Sequence, residues 1–191
     1  KELVCLTVAF NLDEVFQAVI SRENDVLRYI VKDDDLGTGE LIGTDRDVVF
    51  AAGGYLGEGA LANFLKERDN PLNTNDYIHT KFMLVDPLSD DPLVVTGSAN
   101  FSRPSQRIND ENMLVIRGDT RVADIYFGEF MRIFAHHRFR ESIRRHVEQH
   151  GSAAFDTWKP QDLMDDWRRW VPTHFRRGSE HDIKRRYFAG E

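Results

Sequence analysis

Continuous apolar runs of strand length constrain the fold of this chain more than any other feature of its sequence. LVCLTVAF (Leu3–Phe10) and DVVFAAGG (Asp47–Gly54) have consecutive rather than alternating apolar positions. Consecutive apolar positions predict strands that are buried on both faces of a sheet. Four further strand candidates are VLRYIV, IHTKFMLVD, PLVVTGS and NMLVIRG, at residues 26–31, 78–86, 92–98 and 112–118.

Segments with helical character separate several of these strands. We predict helices over residues 12–21 and 60–68, and a long helix that starts at Asp119 or Thr120 and ends near His146. Apolar residues recur at helical spacing in the long helix, at Val122, Ile125, Tyr126, Phe130, Ile133 and Phe134. Strands that alternate with helices and are apolar throughout indicate an α/β fold, a mixed β-sheet flanked by helices on both faces.

The length and the charge distribution suggest one domain followed by a tail. We place the domain at residues 1–150, and we expect the irregular segment 151–191, which contains all three tryptophans, to pack on it. Residues 1–131 carry 12 Lys/Arg and 23 Asp/Glu, whereas residues 132–191 carry 13 and 9. The acidic body argues against broad binding to phosphate backbones, and the mildly basic tail argues in the other direction.

The N-terminal sequence and the hydropathy predict a cytoplasmic protein without a transmembrane segment. The chain begins KELVCLTVAFNLDEVF, which has neither a basic leader nor a small-residue cleavage site. No apolar run approaches the roughly 20 residues that a membrane-spanning helix needs. The lone Cys5 lies in an apolar run, and we predict that it is a core residue.

Polar side chains within and after the fourth strand candidate point to a phosphate site. His79 and Lys81 are two residues apart, so on a strand they share a face, and burying both is costly unless an anion pairs with them. With a phosphate there, Lys81 would neutralise the charge and His79 could attack phosphorus. Ser98 and Asn100, at the end of the next strand, could donate hydrogen bonds to phosphoryl oxygens. Glu111, at the start of the strand after that, could hold the His79 ring in its nucleophilic tautomer.

These residues resemble the HKD motif of the phospholipase D superfamily, H-x-K-x4-D followed downstream by G-S-x-N. The matching positions are His79, Lys81, Asp86, Gly97, Ser98 and Asn100. The family also places an acid beyond the motif's Asn, and Glu111 stands eleven residues after Asn100. The turn PLSDDP lengthens the gap between Asp86 and Gly97 relative to the usual motif. The strand–helix pattern from Leu3 to His146 is similar to one half of such an enzyme.

The resemblance implies a two-step phosphodiester reaction that needs no metal and no cofactor. His79 would attack phosphorus to form a phosphohistidine, which water or an alcohol would then release. Lys81, Ser98 and Asn100 would bind the phosphoryl oxygens and stabilise the charge of the transition state. Glu111 would orient the ring of His79.

The family's chemistry needs two facing HKD motifs, and this chain has one. The second histidine serves as general acid for the leaving group. It could come from a homodimer partner across a twofold axis. Alternatively, the chain is the C-terminal half of a two-motif bacterial-type protein, which the missing initiator Met and the abrupt start on a strand favour. Asp86 completes the candidate catalytic set, and we expect its role to be structural, near the end of its strand.

Two classes of function stay open. One is a phospholipase D-type phosphodiesterase that acts on phospholipid, in lipid metabolism, or on nucleic acid, as a nuclease. The other is a non-catalytic module that uses the fold for assembly or anion binding. The intact motif favours the enzyme, because a purely structural domain has no need of His79, Lys81 and Asn100 together.

Overall fold

The computed structural model of the protein describes residues 2–8, 12–20, 26–32, 48–52, 78–151, 168, 171–172 and 175–189. The chain divides into two compact units, Lys1–Arg144 and Arg145–Glu191. The predicted helix over residues 60–68 and most of the predicted tail lie outside the described residues, so the packing of the tail on the domain stays a prediction.

Six strands in the described part of the first unit form one mixed sheet. They are β1 (Leu3–Val8), β2 (Leu27–Lys32), β3 (Val48–Ala52), β4 (Phe82–Val85), β5 (Leu93–Gly97) and β6 (Met113–Arg117). Their order across the sheet is β3-β2-β1-β4-β5-β6. Strands β1 to β3 pair in parallel, and β4 to β6 continue the sheet by antiparallel pairing. The predicted mixed α/β sheet is therefore confirmed.

Helices pack on both faces of this sheet. The described helices are α1 (Glu14–Ile20), α2 (Arg103–Arg107), α3 (Thr120–His150) and, in the second unit, α4 (Glu180–Ala189). On one face, Phe16 of α1 packs against the cluster that contains Ile30. On the other face, the ring of Tyr29 lies 5.0 Å from that of Phe134 on α3. Because Tyr29 and Ile30 are neighbours on β2, their side chains point to opposite faces, and each face has its own helix.

The core of the first unit is built from the predicted apolar runs. Leu3, Cys5 and Leu6 of β1 are at most 1% exposed. Burying an aliphatic side chain of this size contributes about 1.5–3 kcal/mol to the free energy of unfolding. The predicted core position of Cys5 is confirmed, and burial raises the pKa of its thiol.

Strand β4 begins at Phe82, so the prediction that His79 and Lys81 lie on a buried strand face is wrong. Thr7 of β1 is the physical reason, because its Oγ1 accepts the Phe82 N–H at 3.0 Å in place of a backbone carbonyl. On the other side, Thr96 of β5 donates its hydroxyl to the Lys81 carbonyl at 3.2 Å. The segment before β4 is therefore not part of the sheet. In that segment His79 is exposed and Lys81 is half-buried.

Asp86 connects the end of β4 to the start of β1. Its Oδ1 accepts the N–H of Glu2 at 2.6 Å and that of Leu3 at 3.0 Å. Its own N–H donates to the Leu3 carbonyl at 2.8 Å. Asp86 has a φ of 47°, in the left-handed region that aspartate tolerates better than most residues. Its side chain therefore holds two neighbouring strands in register and shapes the turn.

We expect Asp86→Ala to lower the free energy of unfolding by about 1–3 kcal/mol, because two backbone N–H groups lose their acceptor and alanine takes a left-handed conformation. Denaturation by urea measures this difference. Asp90→Ala is the matched control, because Asp90 lies exposed in the same turn and its replacement should change stability by less than about 0.5 kcal/mol. Equal losses for the two variants would show that the side chain of Asp86 does not stabilise the register.

The second unit contains a buried carboxylate that engages two arginines of the basic tail. Asp182 of α4 accepts the N–H of Gly178 at 2.9 Å. The same carboxylate is hydrogen-bonded by Arg185 and lies 3.5 Å from Nε of Arg186. The Arg185 guanidinium also lies over the ring of Phe175, 4.7 Å from its centroid. These two arginines therefore take part in the internal structure of the unit.

Candidate active site

Three segments carry the candidate site residues to one end of the sheet. Since β4, β5 and β6 are antiparallel neighbours, the start of β4, the end of β5 and the start of β6 lie side by side. Lys81 immediately precedes β4, Ser98 immediately follows β5, and Glu111 lies two residues before β6. Asp86 follows β4 and is at the opposite end of that strand, away from this group.

Ser98 joins the end of β5 to the segment that leads into β6. Its hydroxyl donates to Oε2 of Glu111 at 2.5 Å and accepts the N–H of Asn112 at 3.0 Å. Its backbone N–H donates to both oxygens of Asn112, the carbonyl O and Oδ1, each at 3.2 Å. The small serine side chain thus fixes the position of the Glu111 carboxylate relative to the sheet.

Glu111 is held in its ionised form by the groups around it. Hydrogen bonds from Ser98, then from Asn109 and Ser105, lower the pKa of the Glu111 carboxyl, and the charge of Lys81 acts in the same direction. The Asn109 side chain donates to Oε1 at 3.2 Å, so both carboxylate oxygens are engaged. A carboxylate with these partners presents a fixed negative charge to the site.

Lys81 supplies a cation next to this carboxylate. Its Nζ donates to the backbone carbonyl of His79 at 2.9 Å, which turns the ammonium back along its own segment. Burial lowers the pKa of Lys81, and the charge of Glu111 opposes that effect. The site therefore combines a half-buried ammonium with a hydrogen-bonded carboxylate at one end of the sheet.

Asn100 lies in the turn after β5 with its side chain partly buried. Its backbone N–H donates to Oγ of Ser105 at 3.2 Å. Its Oδ1 is buried and accepts no hydrogen bond from the part of the chain that the structure describes. Buried amide oxygens are nearly always hydrogen-bonded in native proteins, so such an atom in a site suggests a group that arrives with a ligand or a solvent molecule.

The structure brings Lys81, Ser98 and Glu111 together and places Asn100 in the adjoining turn. His79 lies on the exposed segment before β4, and its backbone is hydrogen-bonded to Lys81. The predicted contact between the His79 ring and Glu111 stays a prediction. Glu111 itself is bonded to Ser98 and Asn109, which the sequence did not lead us to expect.

Ser105 and Asn109 are site residues that sequence reasoning missed. The segment SRPSQR, residues 102–107, consists of the N-cap Ser102 and helix α2, which has a proline in its first turn. Ser105 lies one helical turn after Ser102 and is buried. Its hydroxyl oxygen accepts the backbone N–H of Asn100. Ser102 followed two residues later by Pro104 is the sequence signal that predicts this helix start. Asn109 had no comparable signal.

We expect Ser98→Ala to raise the pKa of Glu111 toward its usual value, because the largest cause of its depression is removed. Carboxyl NMR titration of the labelled side chain measures this shift. The stability that the ionised Glu111 contributes is present above its unfolded pKa and is lost as pH falls through its folded pKa, so the loss should begin at higher pH in the variant. Ser89→Ala, in an exposed turn, is the control that should leave this titration unchanged. An unshifted Glu111 in Ser98→Ala would contradict the assignment.

The described residues contain neither a metal-binding cluster nor a membrane-spanning helix. In that part of the chain, no group of three or more His, Cys, Asp and Glu side chains could hold a metal ion. Within the same residues, no helix is both long enough and apolar enough to cross a membrane. The predicted cytoplasmic location is tested by neither finding and stays a prediction.

The chain matches a protein family and is similar to distant solved structures, two of which are described here. The family described as "Cardiolipin synthase, PLD-like domain" matches residues 17–134, a range that includes His79 and Glu111. NucT from Helicobacter pylori is 17% identical, with a TM-score of 0.48 over 70% of this chain and 79% of that one. Nuc from Salmonella typhimurium, a phospholipase D family member, is 18% identical, with a TM-score of 0.49 over 71% of this chain and 80% of its own. No curated protein matches the sequence.

Proposed function

This chain belongs to the family of cardiolipin synthase, phospholipase D-like domains, and on that premise we propose that it cleaves a phosphodiester through a phosphohistidine at His79. The observation that carries the proposal is the cluster of Lys81, Ser98 and Glu111 beside the exposed segment of His79. This end of the sheet combines a cation, a hydroxyl and an ionised carboxylate. Such a set suits a reaction in which negative charge builds up on phosphoryl oxygens in the transition state.

The reaction we propose has two steps. In the first, the neutral ring of His79 attacks phosphorus, the bond to the leaving oxygen breaks, and a second histidine donates its proton to that oxygen. In the second, the same histidine removes a proton from water or an alcohol, whose oxygen attacks phosphorus and releases His79. Lys81 neutralises the phosphoryl oxygens through both steps, and Asn100 contributes a hydrogen bond. Glu111 stabilises the His79 ring while it carries the phosphoryl group.

The second histidine has to come from another HKD motif. A second copy of this chain would supply an identical His79 across a twofold axis. The other half of a longer two-motif protein would supply a different one. The substrate is a phosphodiester in either case, a phospholipid or a nucleic acid, and both present the same phosphoryl group to Lys81.

Hydrolysis of bis(p-nitrophenyl) phosphate in the presence of EDTA, on a sample whose mass is measured by light scattering, tests the proposal. We expect a dimeric sample to release p-nitrophenol and, after rapid quenching at alkaline pH, to carry a p-nitrophenyl phosphoryl group on the peptide of His79. A dimer that gives neither product would overturn the proposal. Binding of orthovanadate without turnover would instead favour the non-catalytic, anion-binding module.

A further inference from the structure

Strand β1 carries one buried hydroxyl group in an otherwise apolar sequence, LVCLTV. Thr7 is 1% exposed, and Leu3, Cys5, Leu6 and Val8 of the same strand are buried as well. Burying a hydroxyl among apolar side chains is unfavourable unless it is hydrogen-bonded. Valine has nearly the same shape and would fill the position without that cost. The bonds that the hydroxyl makes should therefore explain why this position is a threonine.

The hydroxyl of Thr7 binds the backbone of residues 79–81, which we call the site segment, and that of Phe82. Its Oγ1 accepts the N–H of Phe82 at 3.0 Å. Its own proton has two carbonyl acceptors, that of Thr80 at 3.0 Å and that of Phe82 at 3.2 Å. Thr80 lies between His79 and Lys81. One side chain of β1 thus contacts the backbone on both sides of Lys81.

A second threonine binds the site segment from the other neighbour of β4. Thr96 of β5 donates its hydroxyl to the carbonyl of Lys81 at 3.2 Å. Strand β4 lies between β1 and β5 in the sheet, so the two hydroxyls bind the backbone from opposite sides. Side-chain hydroxyls therefore hold the chain at the point where a regular sheet would hold it by backbone groups alone.

This departure from the sheet decides where the two site residues lie. If β4 continued backwards as a regular strand, Lys81 and His79 would share the face of Met83, because side chains two residues apart point the same way. Met83 packs against the apolar cluster that contains Leu6 and Val8. An ammonium and an imidazole on that face would be buried among apolar groups. In the structure His79 is exposed and Lys81 is half-buried.

We propose that Thr7, supported by Thr96, is a positioning residue of the active site, whose hydroxyl holds the site segment outside the sheet and so orients His79 for attack on phosphorus. This inference rests on the proposed function, in which His79 is the nucleophile. Displacing a reacting group by about 1 Å can lower a rate about 100-fold, so the backbone that carries the ring has to be fixed. Thr7 itself contacts no substrate and acts through that backbone.

Removing the hydroxyl while keeping the shape of the side chain tests this role. We expect Thr7→Val to lower kcat for bis(p-nitrophenyl) phosphate at least about 10-fold, because the nucleophile loses its orientation. KM should stay within about threefold of wild type, because the long side chain of Lys81 can still reach the phosphate. Thr7→Ser keeps the hydroxyl and should retain kcat within about threefold, although it loses a buried methyl group and should be less stable to urea.

Cys5→Ala is the matched control for a general loss of stability. Cys5 is fully buried two residues before Thr7, on the same face of β1. This variant should unfold at lower urea concentration and keep the kcat of wild type in folded protein. Thr7→Val would lose its positioning role if Cys5→Ala or Thr7→Ser lowered kcat to the same extent.

Amide hydrogen exchange of Phe82, measured by NMR without substrate, follows the site segment independently of turnover. The amide should be protected in wild type and in Thr7→Ser, and it should exchange at least about 10-fold faster in Thr7→Val. An unprotected Phe82 amide in wild type, or equal exchange in all three proteins, would overturn the positioning role. Faster exchange in Thr7→Val together with an inactive wild type would remove the proposed function and keep the hold of Thr7 on the segment.

Thr96→Val carries the test if Thr7→Val does not fold by circular dichroism. Thr96 is half-buried, so its replacement disturbs the core less, and it removes the bond to the Lys81 carbonyl. We expect a lower kcat and shifted backbone NMR signals for His79 and Lys81. Wild-type kcat and unshifted signals in Thr96→Val would show that the hydroxyls do not position the segment.

Discussion

His79→Ala should reduce kcat for bis(p-nitrophenyl) phosphate at least about 10³-fold, because the variant has no nucleophile to form the phosphohistidine. The fold should be unaffected. His79 is exposed on the segment before β4. That segment accepts hydrogen bonds at two backbone carbonyls, from the Lys81 ammonium to His79 and from the Thr96 hydroxyl to Lys81. The free energy of unfolding should therefore change by less than about 0.5 kcal/mol.

His136→Ala is the matched control for this experiment. His136 is also exposed, on α3, where its Nε2 lies 3.4 Å from Nη1 of Arg140, and it should retain wild-type turnover. Steady-state kinetics on both variants separates kcat from KM, and circular dichroism checks the fold. Full activity of His79→Ala in a preparation free of other phosphodiesterases would refute the mechanism.

Mixing His79→Ala with wild-type protein tests whether two copies share one site. If a site needs His79 from both copies, an equilibrated equal mixture should retain about a quarter of the activity of the same total amount of wild type. If each copy works alone, the mixture should retain about half. The measurement needs no further variant, and it distinguishes a shared site from independent ones even when both give a dimer.

The strand pattern was predictable where the signal is local. The continuous run at residues 26–31 predicted a strand that the structure places at Leu27–Lys32, a displacement of one residue. The motif spacing similarly located Ser98 and Glu111, whose hydrogen bond joins two adjacent strands. A polar residue that lies next to a strand end can be placed from the sequence when the neighbouring strand is antiparallel, because the two strand ends then lie side by side.

Features that depend on distant contacts could not be predicted. The apolar pattern of IHTKFMLVD gives no reason for β4 to begin at Phe82. The N–H of Phe82 donates to the hydroxyl of Thr7, 75 residues earlier, in place of a backbone carbonyl of the neighbouring strand. NMLVIRG likewise has the composition of a buried strand, yet the strand order makes it an edge with Met113 and Leu114 exposed. The spacing of apolar residues indicates which faces of a strand are apolar. Whether that strand lies at the centre or at the edge of the sheet depends on the order of all the strands, which its own sequence does not specify.

Gly97→Ala is expected to lower the free energy of unfolding by about 2–4 kcal/mol, because there is no room for a methyl group where β5 meets β6. A Cβ at Gly97 would lie 2.2 Å from the carbonyl oxygen of Asn112, which is backbone and cannot rotate away. The same carbonyl accepts the N–H of Ser98 at 3.2 Å. Relieving the clash therefore means breaking that bond and moving Ser98 relative to Glu111.

Gly128→Ala is the control for Gly97→Ala, and it should change the free energy of unfolding in the opposite direction. A Cβ at Gly128, on α3, meets nothing within 4 Å, and alanine in a helix is favoured over glycine by about 1 kcal/mol, so this variant should be more stable than wild type. Urea denaturation measures both changes, and the NMR titration of Glu111 follows the site. If Gly97→Ala matched wild type in stability and in the pKa of Glu111, the two strands could separate at this point without cost. The close approach of Gly97 and Asn112 would then not be what positions Ser98 against the carboxylate.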